Sequence, residues 1–112
     1  MKYALLIHSN DEQWEKRSED ERRAITGEYM ALSELPGMFG GAQLEPTTAT
    51  TTVRVADGRT LTTDGPFAET KEALGGFYLL EAPNLDDAIE VAARIPAARF
   101  GGAIEVRPLV EH

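Results

Sequence analysis

No cysteine occurs among the 112 residues, which excludes disulfide staples, thiolate nucleophiles and cysteine-ligated zinc or iron–sulfur centres together. Histidine is scarce, with only His8 and His112. Two histidines and no carboxylate cluster at ligand spacing give no reason to expect a metal site, and no cofactor is expected. Basic side chains are few: 11 Lys and Arg against 19 Asp and Glu leave a formal charge of −8. Phosphate contacts need a basic face, so nucleic acid is not an expected partner. An anionic membrane surface is disfavoured for the same reason. Long apolar runs are missing as well. The opening stretch from Tyr3 to Ile7 holds five consecutive apolar residues, too few for a signal-peptide core or a membrane span, so a cytoplasmic location is expected. The length allows a single domain over residues 1–112, and 42 % hydrophobic with 27 % charged residues is a globular mix.

Residues 2 to 8 read as a strand, with Tyr3, Leu5 and Ile7 on one face and Lys2, Ala4, Leu6 and His8 on the other. Asp11 to Arg17 is a polar stretch around Trp14. Ser18 then fits a helix N-cap, with Glu21 completing a capping box, and Ile25, Tyr29 and Leu32 share one face of the helix that follows. Pro36-Gly37 ends it. Residues 10 to 36 hold eight acidic and four basic side chains, half of the net charge. Met38 to Pro46 reads as a strand that Gly40-Gly41 bends or bulges. Asp57-Gly58 predicts a two-residue type I′ hairpin pairing Ala56 with Arg59 and Val55 with Thr60. Gly76 to Ala82 is a further strand. Asn84 caps a second helix whose inner face is read as Leu85, Ala88, Ile89 and Ala92, with Pro96 ending it. Ala103 to Pro108 is the last strand.

The order β-α-β-hairpin-β-α-β is the split βαβ plan of ferredoxin-like α+β domains, with an antiparallel sheet and an inserted β-ribbon. Both helices of that plan cover one face of the sheet. The first strand and Phe77-Tyr78-Leu79-Leu80 are apolar on both sides, so the second face calls for another layer. The simplest such layer is the same sheet of a second copy in a two-fold homodimer.

The loop from Thr63 to Glu72 departs from generic composition. Asp64 suits an Asx-type turn, Pro66 fixes the exit, and Phe67 is expected to plug the loop into the core. The plain reading is a rigid strand-exit turn without chemistry. The functional reading brings Asp64, Glu69 and Lys71 together at a pocket mouth. The nine residues from Asp64 to Glu72, DGPFAETKE, resemble the hallmark of the DGPF branch of the YCII-related family. The likeness extends through MKYALLIHSNDEQW at the start, LEP at 44 to 46, TTVR at 51 to 54, GGFYLLEA at 75 to 82 and PAARFGGAIEVRPL near the end. It implies a ferredoxin-like fold that dimerises through its sheet, the dimeric α+β barrel arrangement. It also implies an association of some members with extracytoplasmic-function sigma factors. For the wider family it implies enzymatic activity centred on a histidine and an aspartate in a cleft.

That histidine belongs on the first helix, and here residues 18 to 35 contain none. A His/Asp dyad therefore requires His8 to approach Asp64 from the end of the first strand; the plainer role for His8 is a half-exposed polar cap. Arg54 and Lys71 are candidate anchors for an anionic ligand, and Glu69 and Phe67 candidate pocket residues, as is Trp14. Against each stands a simpler role as surface ion pair or core aromatic. Three function classes remain: a small-molecule-binding domain with weak acid–base chemistry, a regulatory module contacting its partner through the acidic helix, and an enzyme fold without turnover.

Overall fold

The computed structural model describes residues 1–112, apart from the side chain of Asp11. Strand β1 (Lys2–Ser9) alternates as its sequence demands: Tyr3, Leu5 and Ile7 are buried, Lys2 is exposed, and Ala4, Leu6 and His8 are half-buried. The polar stretch after it forms one helical turn, α1 (Asp11–Glu15), because the Asn10 side chain accepts from the Glu12 amide at 2.9 Å. Helix α2 (Glu19–Ser33) starts on the expected cap, with Ser18 Oγ accepting from the Glu21 amide at 3.1 Å. Strand β2 (Met38–Gln43) stops three residues short of Pro46. Its expected irregularity is a register shift against the next strand between Met38 and Gly40.

The ribbon strands β3 (Thr51–Ala56) and β4 (Arg59–Asp64) pair as the turn chemistry requires, Ala56 with Arg59 and Val55 with Thr60. Asp57 and Gly58 both take positive φ, 51° and 73°, the signature of a type I′ turn. Strand β5 (Ala73–Glu81) begins earlier than its apolar run suggested. Helix α3 (Leu85–Ala93) is capped by Asn84 accepting from the Asp87 amide at 2.9 Å. Pro96 opens a further turn, α4 (Pro96–Arg99), at a first-turn position where its missing N–H costs nothing. Strand β6 (Ala103–Pro108) completes the chain of elements.

The main sheet runs β2-β5-β1-β6 with every pair antiparallel, which is the split βαβ order. Helices α2 and α3 cover the face that carries Tyr3, Leu5, Ile7, Tyr78 and Leu80, and Leu32, Ala88, Ala92 and Ile95 pack into the same cluster. Here α3 departs from expectation. It rolls onto Ala88 and Ala92, leaving Leu85 and Ile89 about half exposed, because two small side chains let its backbone approach the sheet. Strands β2 and β5 also come close: a Cβ on Gly76 would sit 2.8 Å from the Ala42 carbonyl oxygen.

The ribbon stands apart. Nearly all its residues are exposed on both faces, Val53 at 60 % and Val55 at 71 %. The molecule spans 45 × 44 × 20 Å with a radius of gyration of 15.9 Å, against about 13 Å for a compact domain of this length. Phe67 does not plug the loop into the core, being 80 % exposed. Its loop leaves the end of this outlying ribbon, whose last strand is itself exposed.

Candidate functional site

A broad concavity of about 1010 Å³ lies between α1 and α2 on one side and β2 and β5 on the other. Its origin is legible in the residues. Helix α2 buries only Ile25 and Leu32 of its fifteen residues, with Tyr29 half-buried between them, so it covers this half of the sheet thinly. Opposite it, the backbone of Gly40, Gly41, Gly75 and Gly76 lines the cleft. Trp14, Tyr29, Met30 and Phe100 supply the large walls, and Asn10 and Gln13 from the α1 turn supply polar groups.

Two tyrosines set the chemical character of the interior. Tyr29 and Tyr78 stack with ring centroids 6.4 Å apart, and the Tyr78 hydroxyl donates to the Tyr29 carbonyl oxygen at 2.7 Å. Burial pushes the Tyr78 phenol up to about 12, with the neighbouring Tyr29 adding to the shift. Burial raises Tyr29 too, and the backbone of Ala97 and the Arg99 charge only partly offset it. Both phenols are therefore neutral at ordinary pH, and they serve as walls and donors rather than as bases.

At the α1–α2 junction, Phe100 is contacted by two guanidinium groups, Arg17 at 4.2 Å and Arg99 at 4.6 Å from the ring centroid. Arg99 is neutralised by Glu28 at 2.5 Å. Among the described residues Arg17, whose side chain is 20 % exposed, has only Glu21 at 3.8 Å, beyond hydrogen-bond range. Arg17 and Phe100 line the cleft.

The residues singled out in the sequence fall into three separate places. His8 lies on the sheet face opposite the helices, where its Nε2 contacts Glu105 Oε1 of β6 at 2.5 Å. Asp64 ends β4 at the base of the ribbon, where the Gly65 amide donates to the Thr50 carbonyl and Thr52 Oγ1 donates to the Gly65 carbonyl, both at 2.7 Å. Among the described residues no hydrogen bond or ion pair joins His8 to Asp64. Arg54 is exposed on the ribbon, opposite Leu61. Glu69 and Lys71 do share a concavity, a second hollow of about 590 Å³ that Ser9, Asn10 and Thr47 also line. No group of three or more potential metal-ligating side chains occurs among the described residues.

Trp14 was legible as a pocket residue. Arg17, Tyr29 and Phe100 were not, because each reads as a charge on a polar stretch or as core at helical spacing. The usable signal lay in the double glycines Gly40-Gly41 and Gly75-Gly76, which occur on the neighbouring strands β2 and β5 beneath a helix with a narrow apolar face.

The open face of the sheet has a definite pattern. Leu6 pairs with Phe77 and Ala4 with Leu79, while Ala42 and Gly40 extend the strip on β2. Charged groups border it: Lys2 sits 5.5 Å over the Phe39 ring, and Arg107 lies 3.6 Å from Glu105. No helix of the described residues is long and apolar enough to cross a membrane.

Comparison with known proteins fits this architecture. An uncharacterised protein of Rhizobium meliloti (strain 1021) is 43 % identical over 119 aligned positions, covering 97 % of this chain and 92 % of its own length. The family model described as the YCII-related domain matches residues 1–112. The chain belongs to the YCII-related domain family.

Proposed function

We propose that this protein binds a small organic molecule in the cleft between α2 and strands β2 and β5. The observation that carries the reading is a concavity of about 1010 Å³ with glycine backbone on one side and aromatic side chains on the other. Sites for small ligands combine such apolar walls with a few convergent polar groups. The test is a ligand screen read by thermal shift on the protein and on Thr26→Phe, which narrows the cleft from an exposed position on α2. Compounds that raise the Tm of the wild type and lose that effect in the variant support the reading. Ligands that stabilise both proteins equally place the binding elsewhere.

The working form in this reading is a homodimer joined through the open sheet face. An apolar strip bordered by charges of both signs is what a self-complementary two-fold interface needs. Sedimentation at micromolar concentration should give twice the 12.2 kDa chain mass, and Leu79→Lys should return it to the single mass. Weak acid–base activity is a separate extension at the open sheet face, because His8 does not line the cleft. His8 is the imidazole that would exchange the proton, with Glu105 at 2.5 Å in the orienting position that the family resemblance gives to Asp64. Loss of any detected turnover in His8→Ala with cleft binding intact supports it; unchanged turnover removes it.

A regulatory module docking an extracytoplasmic-function sigma factor is the rival, and its support is the exposed acidic residues Glu19, Asp20, Glu21, Glu28 and Glu34 along α2 and its C-cap. Co-purification of a sigma factor that is lost on reversing those charges, together with an empty ligand screen, would favour the rival.

A further inference from the structure

We infer that the cleft ligand is an aromatic carboxylate, and that Arg17 is the group that anchors its negative end. The inference rests on the cleft-binding reading and adds to it a substrate class and a recognition residue. It starts from an asymmetry at Phe100. Two guanidinium groups lie against one ring, but only Arg99 has a close carboxylate, Glu28 at 2.5 Å. Among the described residues the one ion pair of Arg17 is the 3.8 Å contact with Glu21, an i,i+4 neighbour whose side chain is 60 % exposed. A pair that long and that solvated contributes little. Among the same residues the Arg17 guanidinium makes no hydrogen bond, and since no buried side-chain polar atom is left unpaired, its donors stay open to solvent or to a ligand although the side chain as a whole is 20 % exposed. It carries five donors in a rigid fork suited to a carboxylate.

Position and preorganisation point the same way. Of the two arginines it is Arg17, and not Arg99, that lines the cleft. Its backbone is held from both sides: its amide donates to the Trp14 carbonyl at 3.2 Å, and its carbonyl accepts from Arg22 Nε at 3.2 Å. Stacking on Phe100 fixes the guanidinium plane, so little side-chain freedom remains to be lost when an anion binds. The other cleft-lining charge, Glu45, is exposed on the segment after β2. The walls call for a flat, unsaturated body. Trp14 and Tyr29 supply aromatic lining, and the raised phenols of Tyr29 and Tyr78 add no competing negative charge.

The experiment uses the full chain and two isosteric probes, 2-naphthoate and its neutral amide 2-naphthamide. Trp14 is the single tryptophan and lines the cleft, so its fluorescence reports binding directly. The expected result is binding of naphthoate at least about tenfold tighter than naphthamide, a preference that Arg17→Gln abolishes. Arg17→Lys, which keeps the charge without the fork, should hold an intermediate preference; circular dichroism confirms that both variants are folded. Glu21→Gln should leave naphthoate affinity equal or higher. Equal affinity of the two probes for the wild type, or a carboxylate preference that survives in Arg17→Gln, overturns the inference. If Arg17→Gln abolishes the preference but Thr26→Phe leaves naphthoate binding intact, the anion anchor stands and the cleft reading fails. Absence of binding by both probes rejects the aromatic ligand class and leaves the cleft reading to its own screen.

Discussion

Two antiparallel strand pairs in this molecule have the same kind of hydrogen-bonded ladder and opposite fates. Strands β1 and β5 pair over eight positions with Tyr3, Leu5, Ile7, Tyr78 and Leu80 buried beneath helices. Strands β3 and β4 pair over six positions with Val53, Val55 and Leu61 facing solvent. The ladder is therefore not what distinguishes a stable region from a marginal one. A lone two-stranded ribbon is weakly stable in water, and the difference lies in the apolar layer packed against it. The ribbon keeps its register through local chemistry: the Asp57-Gly58 turn and the β-branched threonines and valines of its strands.

Mutations separate the two regions. The largest effect should come from Leu5→Ala, at 0 % exposure in the centre of the core, with a loss of about 2–5 kcal/mol in urea unfolding. The matching truncation on the ribbon, Val55→Ala, should cost less than about 0.5 kcal/mol. Comparable losses at both sites would erase the contrast and show the ribbon to be packed against something. Next comes Gly76→Ala, whose new Cβ would press on the Ala42 carbonyl oxygen 2.8 Å away. It should cost about 1–3 kcal/mol by overpacking, and hydrogen exchange should speed up in β2 before β1.

A modest effect is the most specific. Tyr78→Phe removes one hydrogen bond and should cost about 1 kcal/mol near neutral pH. The raised phenol also gives a pH signature. Below pH 10.0, the ordinary tyrosine value, folded and unfolded chains both hold the proton. Between there and about 12 the unfolded chain loses it first, so stability falls as pH rises. Tyr78→Phe should flatten that decline; an unchanged alkaline profile would assign it to another group.

What the sequence could reveal followed the range of the forces involved. Period-two burial in β1, the Ser18 and Asn84 caps and the type I′ turn depend on residues a few places apart, and each is found as read. The α3 face was misjudged because Ala88 and Ala92 permit an approach that depends on the facing sheet, which no helical wheel contains. Phe67 failed for a related reason: whether an aromatic is buried depends on what packs against it in space, which the local sequence does not contain, and this one stays exposed. The cleft is a non-local object, since it forms where a thinly covering helix meets glycines some fifteen and fifty residues further on. The family was readable from one nine-residue loop, yet that loop lies outside the cleft between α2 and strands β2 and β5.

The position of β1 has a consequence for the order in which the fold is made. Its two neighbours are β5, beginning at Ala73, and β6, beginning at Ala103. During synthesis β1 therefore emerges well before either partner. One edge waits roughly sixty residues for β5 and the other roughly ninety for β6, and formation of such distant pairings is slow. Strand β1 is thus a segment open to mispairing between nascent chains, and one whose protection in the cell matters.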